Sequence, residues 1–273
     1  MGASGEKVDL TGVQSTMLVT LYLRAVESRE PNSILRDHRA AELVSRIDYD
    51  FGKLRHAAGN RFLVALRARQ LDDWAADFLR RHPDATVVQL GCGLDSRAFR
   101  LDPPARVRWF DLDQPDVIAL HRRLYPESDR YRTIAASVTD PDWLDQIPSD
   151  RPTLVIAEGL LMYLAERDIQ RLLCRLTDRF PHGELLFDGV APWMSAISRR
   201  VPQRLRGGYP SLSTPTRDGR QLERGNPRLR YRDEVSLVGQ YPRIPVPSYR
   251  AVYWLLSRFR ATRNAMRLFR FEF

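Results

Sequence analysis

The chain alternates short apolar runs with amphipathic stretches between about residues 85 and 190. The apolar runs are rich in β-branched and aromatic residues, which is typical of strands buried on both faces; they read TVVQLG, ARVRWFDLD, YRTIAASV, TLVIAEG and GELLFDG. Strands that alternate with helices favour a parallel sheet. The final RLFRFEF alternates apolar and polar positions and predicts a last strand. The pattern therefore predicts a doubly wound α/β fold.

The segments on either side of this core differ from it in composition. The clearest helix follows Asn60, a favourable N-cap residue, and ends before Pro83. Residues after 190 are interrupted by prolines, glycines and arginines, which favours a lid or insertion. No internal repeat or long linker divides the chain. We therefore expect one domain, 1–273, in four parts: a helical cap (1–82), a cofactor-binding core (83–190), a lid (191–250), and a C-terminal helix and strand (251–273).

Composition narrows the class of protein. With 273 residues, 43% hydrophobic and 28% charged, the chain has ordinary globular composition and is not expected to be disordered. Two cysteines, Cys92 and Cys174, are too few for a disulfide framework or a four-cysteine zinc site, so we expect a reducing, cytoplasmic location and no metal. Neither a signal peptide nor an apolar run of roughly 18 residues is present, so we expect no membrane span.

The charge is strongly basic, at +9, and nearly all the basic residues are arginines. An arginine surplus can indicate binding to nucleic acid or to an acidic substrate. The arginines are scattered along the chain rather than gathered in blocks, which favours a solvated surface. Nucleic-acid binding is therefore the less favoured interpretation.

The strongest local signal is the turn in VVQLGCGLDSRAFRL, where a strand runs into Gly91 and Gly93 before a helix. Glycine permits a tight turn and a close ligand approach, although any doubly wound protein needs glycine at such a place. The dinucleotide fingerprint GxGxxG is not met, because Ser96 replaces its third glycine. Asp95 would repel a pyrophosphate but would balance a cation. The turn therefore disfavours a dinucleotide and favours a positively charged ligand.

Acidic residues end the next strand, at RWFDLDQP. Asp111 and Asp113 lie 20 and 22 residues beyond Gly91, where an acidic side chain can accept hydrogen bonds from both hydroxyls of a ribose. At a period of two, both aspartates share one face of the strand. The alternative is a solvated turn before Pro115.

Polar residues also end the later strands. Ser137 and Val138 follow the third strand, and Glu158 follows the fourth and is expected at its rim. Ligands of open α/β sheets bind beyond the carboxyl ends of the strands, where these residues fall. Asp188 ends the fifth strand, but it is equally well explained as a turn or capping residue.

Arg67 stands within the apolar stripe of the helix after Asn60, one turn from Leu63 and from Leu71. A cation there needs an anion, which is either a ligand carboxylate or an internal salt-bridge partner; a snorkelling side chain is the third alternative. Arg69 falls among acidic residues and is predicted to form a surface ion pair.

Together these features call for a ligand with a cationic centre, a ribose, an adenine-like ring and a carboxylate, as in S-adenosylmethionine. At these motifs the chain resembles the leucine carboxyl methyltransferase family, in particular its bacterial branch acting on polyketides and other secondary metabolites. The resemblance spans about two thirds of the chain and fades after about residue 195. It rests on TGVQSTMLVTLYLRAVESR, DHRAAELVSRIDYDFGKL, LRARQLDDW, LGCGLDSRAFRL, FDLDQPDVI and AEGLLMYL.

The resemblance implies a class I methyltransferase fold, with a seven-stranded, mostly parallel Rossmann-like sheet and S-adenosylmethionine as cofactor. By this resemblance Arg67 holds the methionine carboxylate and Asp113 the ribose. Asp95 and Arg97 shape the loop. The other positions implied for cofactor binding are the turn glycines Gly91 and Gly93, Ser137 and Val138 beside the adenine, and Glu158.

We expect an O-methyltransferase that acts on a carboxyl or phenolic oxygen of a small polyketide-like metabolite. The alternatives are methylation of a protein C-terminus, and a nucleic-acid-binding or non-catalytic protein on the same scaffold. No catalytic residue is identified, because none of the histidines, His38, His56, His82, His121 and His182, stands in a motif, and all are expected at the surface or in turns. The aromatic residues Tyr241, Tyr249, Tyr253 and Trp254 either line an acceptor pocket or belong to the core.

Overall fold

The computed structural model describes residues 6–7, 13–202, 210–216 and 218–273. The strands are β1 (Glu6–Lys7), β2 (Ile47–Asp48), β3 (Thr86–Leu90), β4 (Arg108–Asp113), β5 (Tyr131–Ala135), β6 (Thr153–Ala157), β7 (Gly183–Val190), β8 (Arg230–Ser236) and β9 (Met266–Glu272). The helices are α1 (Val13–Ser28), α2 (His38–Arg46), α3 (Arg61–Arg81), α4 (Arg97–Arg100), α5 (Pro115–Leu124), α6 (Glu166–Arg179), α7 (Pro192–Arg200), α8 (Gly219–Gly225), α9 (Pro247–Arg258) and α10 (Arg260–Arg263). Short 3₁₀ segments occupy Phe51–Asn60, Asp142–Gln146, Leu161–Tyr163 and Val238–Arg243.

Seven of the strands form one sheet in the order β5-β4-β3-β6-β7-β9-β8. The first five strands of this order are parallel, whereas β9 runs antiparallel to both β7 and β8. The five apolar runs identified in the sequence are the five parallel strands, and the C-terminal alternation is β9. The predicted seven-stranded, mostly parallel sheet is therefore confirmed.

Helices cover both faces of the sheet. Consecutive residues of a strand therefore pack into two different hydrophobic cores, one on each face. In β3, Val87 packs in the core that contains α1 and α3, and Val88 packs in the core that contains α6. Every residue of β3, β6 and β7 is buried. Burial on both faces explains why these strands are continuous apolar runs instead of alternating ones.

The long helix predicted after Asn60 is α3, which ends one residue before His82. Asn60 occupies the N-cap position but makes no side-chain capping hydrogen bond, because the 3₁₀ segment Phe51–Asn60 continues directly into the helix. Among the described helices, none is long and apolar enough to cross a membrane.

The segment predicted as a lid, residues 191–250, contains a strand of the main sheet in its second half. Residues Arg230–Ser236 form β8, which pairs with β9 and completes the sheet. This strand is largely exposed and rich in charge, as suits a sheet edge, so it lacked the apolar signature used to find the other strands. The first half contains α7 and α8, while residues 203–209 and 217 of the predicted lid lie outside the described part.

Close approach of β6 and β7 gives a stability prediction at Gly183. A Cβ atom built there would lie 2.0 Å from the Thr153 carbonyl oxygen, so Gly183→Ala must shift one strand against the other. We expect a loss of about 1–3 kcal/mol in the free energy of unfolding, measured by urea denaturation. Gly225→Ala is the control, because a Cβ there meets nothing within 4 Å. Equal denaturation midpoints for the two variants would contradict the prediction.

Candidate functional site

The turn between β3 and α4 is built on two glycines in the left-handed region, Gly91 with φ +63° and Gly93 with φ +52°. L-residues with a side chain rarely adopt this conformation, so glycine is required at both positions. The Gly93 N–H donates to Asp113 Oδ2 over 2.7 Å, and the Cys92 N–H donates to the Leu112 carbonyl over 3.1 Å. The end of β4 therefore holds the turn in place.

A cavity of about 380 Å³, the main cavity, opens at the carboxyl ends of β3, β4, β5 and β6. Its volume lies within the usual range of small-molecule sites. Side chains of α1 contribute to its lining, among them Met17 and Thr20. The structure brings nearly all the predicted site residues together on its walls: Arg67, Gly91, Gly93, Asp95, Asp113, Ser137, Val138 and Glu158.

Arg67 reaches the main cavity from α3 and contacts two carboxylates. Its Nε donates to Glu158 Oε1 over 2.9 Å, and its Nη1 donates to Asp188 Oδ2 over 3.1 Å. Burial opposes the charge, but the two carboxylates more than offset it and raise the pKa of Arg67. The internal salt bridge is thus the alternative that the structure shows. Within the described residues, Nη2 has no hydrogen-bond partner and is available to a ligand.

Four arginines and five carboxylates form one connected set of ion pairs, here called the arginine network. Several of its members line the main cavity. Arg97 lies at its centre, fully buried, and contacts Asp72, Asp95 and Glu158. The members are Arg24, Arg67, Arg97 and Arg100, with Asp37, Asp72, Asp95, Glu158 and Asp188. With every group ionised, the network carries one excess negative charge, which favours a cation nearby.

Asp95, predicted to balance a cationic ligand, lines the main cavity but is also paired with arginines of the protein. Its carboxylate lies within 3.7 Å of nitrogens of Arg24, Arg97 and Arg100 and also accepts a hydrogen bond from Gln89. Burial opposes ionisation, but these arginines lower the pKa of Asp95. These ion pairs join Asp95 to α1 and α4, and its role in shaping the loop stays a prediction. The network as a whole, rather than Asp95 alone, carries the excess charge.

Asp111, predicted to bind the cofactor, is not among the described residues that line the main cavity. Its carboxyl group is buried and accepts hydrogen bonds from Trp109 Nε1 at 2.8 Å and from the Tyr131 hydroxyl at 2.6 Å. Asp113 shares its strand face and lines the main cavity. Two residues of a strand span roughly 6.6 Å. Asp111 therefore lies about that distance further from the carboxyl end of β4 than Asp113 does.

His121 is fully buried, contrary to the expected surface position. Its Nδ1 lies 2.7 Å from the Gly93 carbonyl oxygen, which can only accept, so Nδ1 carries a proton. Its Nε2 lies 2.5 Å from the Tyr131 hydroxyl, which also contacts Asp111. Burial lowers the pKa of His121 and raises the pKa of Asp111 to about 7. The Tyr131 hydroxyl therefore lies between Asp111 Oδ2 and His121 Nε2, and His121 Nδ1 donates to the Gly93 carbonyl of the glycine turn.

Asp111 and His121, together with Cys92, are residue types that can bind a metal ion, but the ligand atoms of Asp111 and His121 already make hydrogen bonds. Ligand atoms of Cys92, Asp111 and His121 lie within 4.8 Å of one another. Both ring nitrogens of His121 and both oxygens of Asp111 have hydrogen-bond partners. Burial also raises the pKa of the Cys92 thiol, which opposes the thiolate that a metal would need.

Several residues of the site were missed or left undecided from the sequence. Asp188 accepts from the Gly159 N–H at 2.5 Å as well as from Arg67, so it holds two parts of the rim. Arg24 donates to the Leu94 carbonyl over 2.8 Å, and a lone arginine in the apolar run MLVTLYLRAV was the signal for it. His121 was detectable because Val117, Leu120 and Leu124 place it on the buried face of α5.

The aromatic residues of the tail belong to the core or the surface. Tyr253 is buried, Tyr249 packs edge-on against Phe62, and Tyr241 is partly buried against the core. Trp254 is exposed. The alternative that these residues line the acceptor pocket next to the main cavity is not supported by their positions.

The residues of the main cavity suit S-adenosylmethionine. Arg67 offers a free guanidinium nitrogen to which a carboxylate could bind. Asp113 is a half-buried acceptor at the end of β4, the position at which acidic residues of Rossmann-type folds bind a ribose. Val138 supplies an apolar wall for a base. When bound, this cofactor supplies an electrophilic methyl group on a sulfonium centre.

Some known proteins have a similar fold, and others have a similar sequence. Crystal structures of a methyltransferase-like protein from Thermobifida fusca (TM-score 0.60, 15% identity, 93% of each chain) and of a DUF574 family protein from Streptomyces avermitilis (TM-score 0.56, 14% identity, 90% of this chain and 98% of that one) have similar folds. The chain is 48% identical over 234 residues, 86% of each protein, to the tetracenomycin polyketide synthesis O-methyltransferase TcmP of Streptomyces glaucescens. It is 37% identical over 258 residues, 87% of each protein, to the S-adenosyl-L-methionine-dependent methyltransferase dpfgK of Gibberella zeae.

Fold, cavity and relatives together define a class I S-adenosylmethionine-dependent methyltransferase. The family model for leucine carboxyl methyltransferases matches residues 17–177. The chain belongs to the leucine carboxyl methyltransferase family, as its motifs indicated.

The buried chain from Asp111 to Gly93 gives a pH-dependent prediction. A pKa of about 7 in the folded protein exceeds the unfolded value of roughly 3.9, so the native state binds the extra proton between these values. Wild-type stability from this group therefore falls as pH rises through that window. Asp111→Asn removes the titration, so we expect its unfolding free energy relative to wild type to rise by about 1 kcal/mol per pH unit between roughly pH 5 and 7.

Urea denaturation at several pH values measures this difference. Asp129→Asn is the control, because it removes an exposed carboxyl group that makes no hydrogen bond to another described residue. Its unfolding free energy relative to wild type should not change with pH. A level difference for Asp111→Asn as well would contradict the account of the buried chain.

Proposed function

We propose that this methyltransferase transfers the methyl group to an oxygen of a small, polyketide-like molecule, with a carboxyl oxygen favoured over a phenolic one. The relative TcmP, named for polyketide synthesis, supports the acceptor class. We further propose that Arg67, Gly91, Gly93, Asp95, Asp113, Ser137, Val138 and Glu158 form the cofactor site. The cytoplasmic location stays a prediction.

The preference for a carboxyl oxygen rests on the polar groups around the main cavity. Among the described residues lining it there is no histidine, Glu158 is held by arginines, and Asp113 already accepts two backbone N–H groups. A phenol with a pKa of about 10 would need a base to remove its proton, whereas a carboxylate is already ionised at pH 7. Glu158 and Asp113 are therefore not free to take a proton from a neutral acceptor, and a carboxylate acceptor has no proton to lose.

The arginine content does not require a polyanion partner. Arg24, Arg67, Arg97 and Arg100 are buried or nearly so and are used inside the fold. This use of arginine in the site supports a small-molecule enzyme over a nucleic-acid-binding protein on the same scaffold.

Substitutions of two arginines of α3, Arg67 and Arg69, test the proposed cofactor binding. Lysine at position 67 keeps the charge but cannot serve Glu158, Asp188 and a ligand carboxylate together, because it lacks the planar fork of arginine. We expect Arg67→Lys to raise the Kd of S-adenosylhomocysteine at least about tenfold in isothermal titration calorimetry, equivalent to about 1.4 kcal/mol. Arg69→Lys is the control, since Arg69 pairs with Asp73 at the surface as predicted. Equal affinities for both variants would contradict the role of Arg67.

The methylated atom is tested by incubating the protein with methyl-labelled S-adenosylmethionine and a host metabolite extract. We expect a labelled small molecule whose label is released as methanol by mild alkali, because methyl esters hydrolyse and aryl methyl ethers do not. An alkali-stable small molecule would indicate a phenolic oxygen. Label confined to protein would contradict the proposed acceptor class and support a protein C-terminus.

A further inference from the structure

A second concave surface, the α7 groove, lies against the main cavity and has a volume of about 340 Å³. Tyr163 and Pro210 line both the main cavity and the groove, so the two spaces share a wall. The remaining lining is mostly apolar and includes Trp193, Met194, Ile197 and Leu212. The groove is therefore an apolar surface that adjoins the main cavity.

One side of the groove is a stripe on α7 and its C-cap. Trp193, Ile197 and Val201 follow one another at intervals of four residues, which places them on one helix face. Trp193 is 43% exposed and Ile197 is 52% exposed. Large apolar side chains exposed together mark a binding surface more often than a monomer surface without a partner.

The polar side chains that line the groove are those of Tyr163 and Ser198. The Ser198 hydroxyl accepts a hydrogen bond from the Leu212 N–H over 3.1 Å. Among the described residues that line the groove, none carries a formal charge. A peptide needs partners for its backbone N–H and C=O groups, and the side chains of this lining offer only two hydroxyl groups and one indole N–H. A flat, fused aromatic body needs only apolar contact and stacking, which Trp193 and Tyr163 can provide.

We infer that the α7 groove binds the body of the acceptor, and that this body is a fused aromatic ring system whose methylated oxygen lies at the shared wall beside Tyr163. The inference rests on the proposed function and deepens it by assigning the acceptor surface and its chemistry. Trp193 and Ile197 are the specificity-determining residues of this surface, and they act on acceptor binding without contacting the cofactor residues.

The test uses 3-hydroxy-2-naphthoic acid as the probe, titrated by calorimetry into the protein saturated with S-adenosylhomocysteine. Ile197→Asp places a carboxylate in the apolar stripe at an exposed position, so the fold is expected to tolerate it. The matched control is Arg200→Ala, which changes the net charge by the same amount on the same helix but at a residue outside the groove. We expect Ile197→Asp to raise the probe Kd at least tenfold and Arg200→Ala to change it less than twofold.

The Kd of S-adenosylhomocysteine separates this inference from the proposed function. It should be unchanged in both variants, and failure of the wild type to bind it would defeat the proposed function itself. If the wild type binds S-adenosylhomocysteine, then an absent probe signal, or equal probe affinities in the two variants, overturns the groove assignment. Binding of a peptide with a free C-terminal carboxylate that is lost in Ile197→Asp overturns the aromatic occupant in favour of a protein terminus.

Discussion

The fully buried guanidinium of Arg97 is the constraint on which the site depends. It joins Asp72 of α3, Asp95 of the glycine turn and Glu158 at the end of β6, so three separate parts of the chain meet at one side chain. A buried charge is costly unless it is fully paired, and removal of one partner from such a pair typically costs about 3–5 kcal/mol. The loops around the main cavity are therefore held by interactions that leave little room for alternative arrangements.

The chemistry of the main cavity follows from this arrangement. Glu158 accepts a hydrogen bond from Arg97 on one carboxylate oxygen and from Arg67 on the other. The arginine network therefore positions Arg67, which lines the main cavity. On the opposite side, Asp113 holds the Gly93 N–H while His121 holds the Gly93 carbonyl. Both peptide groups of the turn are thus fixed before a ligand arrives, and a preorganised site loses less entropy on binding.

Much of the fold and most of the cavity were predictable because their signals are local. Doubly buried strands are apolar runs. The residues that follow parallel strands meet at one edge of the sheet, and Asp113, Ser137 and Glu158 accordingly line the same cavity. The failures had non-local causes. Strand periodicity gives the face of Asp111 but not its depth, and β8 is a charged edge strand with no apolar run. The partners of Arg67 come from distant segments, so no sequence spacing could reveal that its charge was already paired. Asp95 pairs with Arg97 and Arg100 from the same loop and helix, and only its third partner, Arg24, is distant in the sequence.

The central claim is that the arginine network holds a preformed site for the sulfonium cofactor. A crystal structure of the complex with S-adenosylhomocysteine tests it most directly. The account predicts the nucleoside in the main cavity, with its carboxylate on Arg67 and its ribose on Asp113, while the contacts of Arg97 with Asp72, Asp95 and Glu158 remain as they are. A ligand bound elsewhere, or a complex in which those three contacts are broken, would contradict it.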